Sequence, residues 1–378
     1  MKVLQITPEA PGRMSGGQRV VLQSLLSLKG CAESVDYAGP EIKDEWIKSQ
    51  YDRIYELAPA RNPILVLAIL LHGQTNKRYY SWKKCRIPFH DYDYVFLEFT
   101  KMDFVVKDVR NGNSRVKIMT RIHNIEADYS KADYQAKRGI KRLAVKLLAE
   151  RQEKRVVRYS DKLLFLTKKD ARRCHELYGV SKRRGMIIPV CIEKPETRKN
   201  ETRIMDRNHG VNILLTGSLW FGPNLEGMKW FLDRVLPLIH CDCRVVIAGS
   251  RPDRDFKTKC RTAGVQVIDS PKEISSYFYE CDLFAIPIFD GAGMKVKFAE
   301  ALSYGKAIVT TSFGAAGYDT GEHVWIADDE KSFADAVDSY AGLSEKEKQK
   351  ISEAAEKEYH SKYSMESSIA RYQKLFQK

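Results

Sequence analysis

The residues best suited to chemistry lie in one stretch, residues 287–309, reading Pro-Ile-Phe-Asp-Gly-Ala-Gly-Met-Lys-Val-Lys-Phe-Ala-Glu-Ala-Leu-Ser-Tyr-Gly-Lys-Ala-Ile-Val. Gly291 and Gly293 follow an apolar run and precede a helical pattern that starts near Val296. Glycine lets a backbone come close to a ligand, and the free N–H groups of a helix N-terminus attract anions. Lys295 and Lys297 put two cations at that helix start, where the macrodipole disfavours them. A diphosphate in the same place would reverse the balance. Glu300, one turn further on, could accept two hydrogen bonds from a ribose diol. The same spacing also fits a solvated amphipathic helix after an ordinary strand–helix loop, since short glycine motifs recur by chance.

His123, between Arg121 and Asn124, is the second candidate. A lone histidine at a strand end fits either a structural residue or a group that exchanges charge near neutral pH. Asp91-Tyr92-Asp93 has the spacing of a metal-binding acid pair. It precedes a strand in the half of the chain away from the glycine stretch, so no metal site is expected. The eight cysteines form neither a CxxC pair nor a Cys/His cluster with zinc spacing, which predicts reduced, mostly buried thiols.

These residues need a scaffold, and the pattern of apolar runs predicts one. Strands are expected at 3–7, 94–97, 116–119 and 162–166, with helices at 19–28 and 134–159. Ile140, Leu143, Ala144, Leu147, Leu148 and Val156 form one side of the second helix. Residues 193–210 hold hardly an apolar side chain and read as a linker. Beyond them strands are expected at 211–215, 244–248, 265–268, 283–286 and 307–310, and helices at 224–236, 296–304 and 332–340. The expected domains are 1–192 and 211–358, joined by that linker. A C-terminal helix at 359–378 is expected to pack back on the first domain. Two parallel α/β domains place their sites at strand C-termini.

The net charge of +14 is uneven. Residues 1–190 hold 37 Lys and Arg against 21 Asp and Glu, a net +16, and the remainder a net −2. Such asymmetry points to an anionic partner for the first half. RNP, KH and zinc-finger patterns are missing, so no nucleic acid is expected. The segment 76–84 interleaves Tyr79, Tyr80 and Trp82 with Lys77, Arg78, Lys83 and Lys84, and 137–146 adds a basic face. Both suit an anionic membrane surface, or else a solvated face over a core segment. The apolar run 63–71 falls well short of the roughly 20 residues a membrane span requires, so it is a buried or interfacial element. The N-terminal residues lack the features of a signal peptide, which predicts a cytoplasmic protein with peripheral contact at the inner membrane face.

The 287–309 stretch resembles the donor-site signature of family 4 glycosyltransferases, of the group 1 glycosyltransferase type, retaining enzymes of the GT-B fold. Gly291, Gly293, Lys297, Glu300, Ala301, Gly305 and Val309 fall in register with it. Residues 215–237, 246–250 and 311–317 resemble further segments of the family's C-terminal domain. Ser15-Gly16-Gly17 resembles its N-terminal glycine loop, and residues 121–126 its R-x-H-N-x-E segment. The likeness is strongest over 211–330 and weakest over 31–93.

The resemblance implies two Rossmann-like domains whose parallel sheets face across a cleft. It assigns the donor diphosphate to Lys297 and Lys295, the ribose to Glu300, and the donor sugar to the backbone of Asp290, Gly291, Ala292, Gly293 and Met294. Gly217 and Ser218 belong to the same donor site, Gly16 and Gly17 approach the phosphates, and His123 lies beside the sugar, orienting a hydroxyl or stabilising positive charge. Two positions depart from the family pattern. The first Glu of an E-x7-E pair is Ala292, and an expected Arg is replaced by Gly217-Ser218-Leu219-Trp220. Diphosphate binding then rests more heavily on the two lysines. The implied activity is retaining transfer of a hexose from a nucleotide-diphosphate sugar to a glycan or lipid-linked acceptor, in cell-surface polysaccharide or glycoconjugate synthesis. No cofactor is implied, the nucleotide sugar being a substrate. A sugar-nucleotide epimerase of the same architecture would need acid/base carboxylates that the sequence does not single out. A catalytically silent partner subunit would have lost Lys297 and Glu300, which are present.

Overall fold

In the computed structural model, which describes residues 1–112, 115–194, 210–291 and 293–377, the chain forms two units. One comprises Met1–Val190 with the residues from Ser368 onward, the other Cys191–Ser367. Most of the expected linker lies outside the described residues.

The first unit is built on seven strands: β1 (Lys2–Ile6), β2 (Ser34–Gly39), β3 (Ile54–Glu56), β4 (Tyr94–Glu98), β5 (Lys117–Ile122), β6 (Lys162–Phe165) and β7 (Gly185–Ile187). They pair in parallel in the order β3-β2-β1-β4-β5-β6-β7. The second unit has six: β8 (Val211–Ser218), β9 (Cys243–Ser250), β10 (Gln266–Asp269), β11 (Leu283–Ile286), β12 (Ala307–Thr310) and β13 (Val324–Ile326). These too are parallel, in the order β10-β9-β8-β11-β12-β13. A parallel sheet is covered by helices on both faces, so its central strands are continuously apolar. Leu283, Phe284, Ala285 and Ile286 are accordingly all buried. In each unit the strand order reverses once, at β1/β4 and at β8/β11. A crevice opens at such a switch point beyond the strand C-termini.

Buried polar groups tie the first sheet to its helices. Arg121, on β5 and fully buried, donates to Ser24 Oγ at 2.7 Å and Gln23 Oε1 at 2.9 Å on helix Gly16–Lys29. It also reaches the Tyr372 hydroxyl at 3.3 Å, on the C-terminal helix Met365–Phe376. Within the first unit Tyr372 stacks on Phe96, and Ser368 meets Ser27 at 2.7 Å.

Two expectations need correction. The helix expected at 134–159 is two helices, Glu126–Lys137 and Ile140–Tyr159. They are separated at Gly139, whose φ of 137° is open to glycine and strained for other residues. The apolar side expected for that helix meets the core at Val156, which is buried, but not at Ile140, Leu143 and Leu147, which are exposed. The basic-aromatic segment is largely structural. Trp82 is buried and donates to Asp108 Oδ2 at 2.8 Å, Lys83 is ion-paired with the same carboxylate, and Tyr79 packs edge-on against Phe104. No disulfide joins the cysteines among the described residues, and four of them are buried and four half-buried.

Candidate functional site

The glycine stretch occupies the β8/β11 switch point of the second unit. After β11 the chain turns through Gly291, φ 117°, and Gly293, φ 63°, conformations that favour glycine, and enters helix Val296–Ser303. Ala292 lies outside the described residues. Asp290 Oδ1 accepts the Gly291 N–H at 2.6 Å and Met294 is buried, so one end of the loop is hydrogen-bonded and the other anchored. The helix cap, Lys295, is extended and supplies no side-chain cap bond to the first turn.

Neither lysine ammonium simply faces outward. Lys295 Nζ donates to the Gly293 carbonyl at 3.0 Å and lies 4.6 Å from the centre of the Phe313 ring. Lys297 Nζ donates to the Thr216 carbonyl at 2.6 Å and to Asn224 Oδ1 at 2.9 Å. Asn224 is held in turn by donating to the Ser218 carbonyl at 3.1 Å. The close approach depends on Gly217, since a Cβ there would lie 3.0 Å from Lys297 Nζ and 2.8 Å from Asn224 Nδ2. Burial, helped by Lys295 and opposed by Glu300, lowers the Lys297 pKa to about 7. The site thus holds an ammonium on neutral acceptors, poorly stabilised as a cation until an anion arrives. Lys295, Lys297, Gly217, Ser218 and Glu300 come together here. The expected ring of residues omitted Asn224 and Thr216. Asn224 sits in the Pro223-Asn224 pair of a matched segment, which was the available signal.

In the first unit, His123 follows β5 and Glu98 ends β4, beside the β1/β4 switch. His123 Nε2 is 2.7 Å from Glu98 Oε2, with both side chains buried. Gln5 Nε2, on β1, donates to Glu98 Oε1 at 2.9 Å, and the Tyr51 hydroxyl donates to Gln5 Oε1 at 2.7 Å. Phe99, with φ 62°, stacks on the imidazole at a centroid distance of 3.7 Å. Burial lowers the His123 pKa, and the Glu98 carboxylate partly offsets this. A carboxylate at Nε2 keeps the hydrogen there and leaves Nδ1 as the accepting nitrogen. Glu98, Gln5 and Tyr51 were not singled out from sequence. A carboxylate ending a buried strand, in register with Arg121 of β5, was the missed signal.

Gly16 and Gly17 open helix Gly16–Lys29, capped by Ser15, whose hydroxyl accepts the Gln18 N–H at 3.2 Å. A Cβ at Gly17 would lie 2.5 Å from Glu9 Oε2, so a carboxylate already faces this helix start. Asp91 and Asp93 do not converge: Asp93 accepts the Lys2 N–H at 2.8 Å, and Asp91 pairs with His90.

With this geometry in hand, comparison with known proteins points to a class. Residues 210–341, which contain the whole β8/β11 site, match the family described as Glycosyl transferases group 1. The Anabaena protein HepE, solved in complex with UDP, superposes with a TM-score of 0.67 at 12% identity, covering 100% of both chains. WaaG, a glycosyltransferase involved in lipopolysaccharide biosynthesis, gives a TM-score of 0.65 at 15% identity, covering 98% of this chain and 99% of its own. At these identities the likeness establishes the fold, which is GT-B with two Rossmann-like units. A Klebsiella pneumoniae protein described as an uncharacterized 44.6 kDa protein in the cps region is 28% identical over 269 residues. That match spans 66% of this chain and 66% of the relative's length. The matched domain and the fold together support a glycosyltransferase.

Proposed function

We propose that the protein transfers a hexose, with retention, from a nucleotide-diphosphate sugar to a glycan or lipid-linked acceptor in polysaccharide or glycoconjugate synthesis. The observation that carries this reading is Lys297. It is an ammonium lodged beside a helix N-terminus and a glycine loop, with its pKa lowered to about 7 by burial. A group so placed gains most from a diphosphate, which restores the charge that burial disfavours. UDP in the HepE structure, lipopolysaccharide biosynthesis for WaaG and the cps-region relative support the donor and the setting. Retention rests on the resemblance to family 4.

In the proposed reaction the bond from the anomeric carbon to the diphosphate oxygen breaks as the acceptor oxygen bonds to the same face of that carbon. The acceptor proton passes to the leaving diphosphate. Lys295, Lys297 and the first-turn N–H groups stabilise the charge that develops there. Glu300 takes the ribose diol, and the backbone from Asp290 through Ala292 to Met294 follows the sugar. His123 orients a sugar hydroxyl through Nδ1 and stabilises positive charge on the ring, with Glu98 holding the imidazole. The test is donor hydrolysis over a panel of nucleotide sugars, reading the anomer first released. Hydrolysis of one donor with retained configuration is expected. Failure to bind any nucleoside diphosphate would overturn the reading, and an inverted product would overturn retention.

A further inference from the structure

Two neighbouring helices of the first unit turn apolar side chains outward. Pro63–Leu71 reads PILVLAILL, without one charged residue, and is set locally by the Asn62 cap and by Pro63 at the first position. Only Ile69 is buried, while Ile64 is 74% and Leu71 81% exposed, with Leu65 and Leu67 exposed between them. At about 1.5 Å per residue the helix is roughly half as long as a bilayer's hydrocarbon core is thick. No helix among the described residues is long and apolar enough to cross a membrane.

The second helix, Ile140–Tyr159, carries an exposed stripe at three- and four-residue steps. It begins as Ile140, Leu143 and Leu147, with Ile140 90% exposed, and continues as Arg151, Lys154 and Arg158, all exposed. Among the described residues none of these three cations is ion-paired. The chain just past the first helix adjoins the second. Leu148 Cδ2 lies 3.8 Å from the position a Cβ would take on Gly73, and Thr75 Oγ1 donates to Gln152 Oε1 at 2.8 Å. The end of the first helix is thus brought beside the second, which carries three exposed apolar residues followed by a row of cations.

Water does not favour this arrangement, because exposed contiguous apolar side chains on a soluble face are unfavourable. A second copy of the chain would cover the leucines only by bringing together two units whose residues 1–190 each carry a net +16. An anionic bilayer matches both parts, with hydrocarbon for the leucines and phosphate for the cations. We propose that this two-helix face docks on an anionic lipid bilayer. Pro63–Leu71 and the start of Ile140–Tyr159 enter the headgroup–acyl boundary, while Arg151, Lys154 and Arg158 lie among the phosphates. The docking extends the transferase reading by placing the first unit where a lipid-linked acceptor is presented. It needs no donor, so vesicle binding and donor hydrolysis can fail independently.

The experiment is co-sedimentation of the full chain with phosphatidylcholine vesicles, with and without phosphatidylglycerol, at low and moderate salt. Wild type is expected to bind only the anionic vesicles. The combined change Arg151→Ser, Lys154→Ser and Arg158→Ser should weaken partitioning on the order of 100-fold at low salt, and less as salt screens the attraction. Leu67→Ser with Leu71→Ser and Leu147→Ser should weaken it at both salts, with unchanged thermal melting because all three are exposed. Indifference of wild type to anionic vesicles, equal binding to neutral ones, or full binding by the leucine variant would each overturn the proposal. So would a lipid-free dimer that the leucine variant abolishes, which would assign the face to a second copy.

Discussion

His123, buried, and Lys297, half-buried, are titratable groups at the switch point of a parallel sheet, yet they are held in opposite ways. His123 already has its counter-charge, Glu98 at 2.7 Å, and that carboxylate is fixed by Gln5 and Tyr51. Lys297 donates, among the described residues, to a carbonyl and an amide oxygen, and burial has lowered its pKa to about 7. An imidazole anchored in advance keeps its geometry while a reaction passes, whereas an ammonium on neutral acceptors is completed by its ligand. The first arrangement suits turnover and the second suits binding.

The sharpest way to break this contrast is His123→Ala. It is expected to lower kcat on the order of 100-fold with donor affinity nearly unchanged. Steady-state kinetics showing an unchanged kcat, with only a lower melting temperature, would make His123 a packing residue. Next in size, Lys297→Ala should weaken nucleoside diphosphate binding by roughly 10- to 100-fold, from loss of a charge-assisted contact. Calorimetric titration giving equal affinities would remove the lysine from the donor site.

The lowered pKa of Lys297 adds a pH dependence of known sign. Near pH 7 the free site is about half protonated, and the bound diphosphate favours the ammonium, so binding takes up a proton. Affinity should fall roughly tenfold between pH 7 and pH 8.5, and heats should vary with the ionisation enthalpy of the buffer. Both effects should vanish in Lys297→Ala. In the unliganded protein the unfolded chain binds more protons between about pH 7 and the ordinary lysine value. This group therefore makes stability rise with pH across that window.

Glu98→Gln sharpens the other side. The carboxylate raises the His123 pKa against burial, so its loss should lower that pKa further, moving the acid limb of kcat to lower pH. A several-fold loss of kcat is expected as the imidazole loses its orientation. The smallest effect is structural. Gly139→Ala puts a side chain at φ 137° and should cost about 1–2 kcal/mol in denaturant unfolding, leaving nucleotide binding unchanged.

Legibility followed the range of the interactions. β8, β9, β11 and β12 are short apolar runs between turn residues and could be placed from sequence. β2 could not, because Ser34–Gly39 carries Asp36, a buried acid that becomes acceptable only when the Tyr92 hydroxyl, 56 residues away, donates to it at 2.6 Å. Arg121 in a strand is similarly opaque, since its partner Tyr372 is 251 residues distant. The expected single helix at 134–159 spans Gly139 because the residues keep helical periodicity across it, and periodicity does not register a single positive φ.

By itself the sequence determined the two runs of alternating strands and helices, the glycine loop before Val296, and the concentration of positive charge in residues 1–190. Each depends on residues near one another in the chain or on composition alone. Tertiary structure alone decided that Lys297 turns to Thr216 and Asn224, 81 and 73 residues away, and that His123 is held by Glu98. It also decided that the leucines of Pro63–Leu71 face outward. A side chain's charge state and partners are set by which groups the sheet order brings beside it, and by how much water it loses there. Neither quantity exists until the strands have paired.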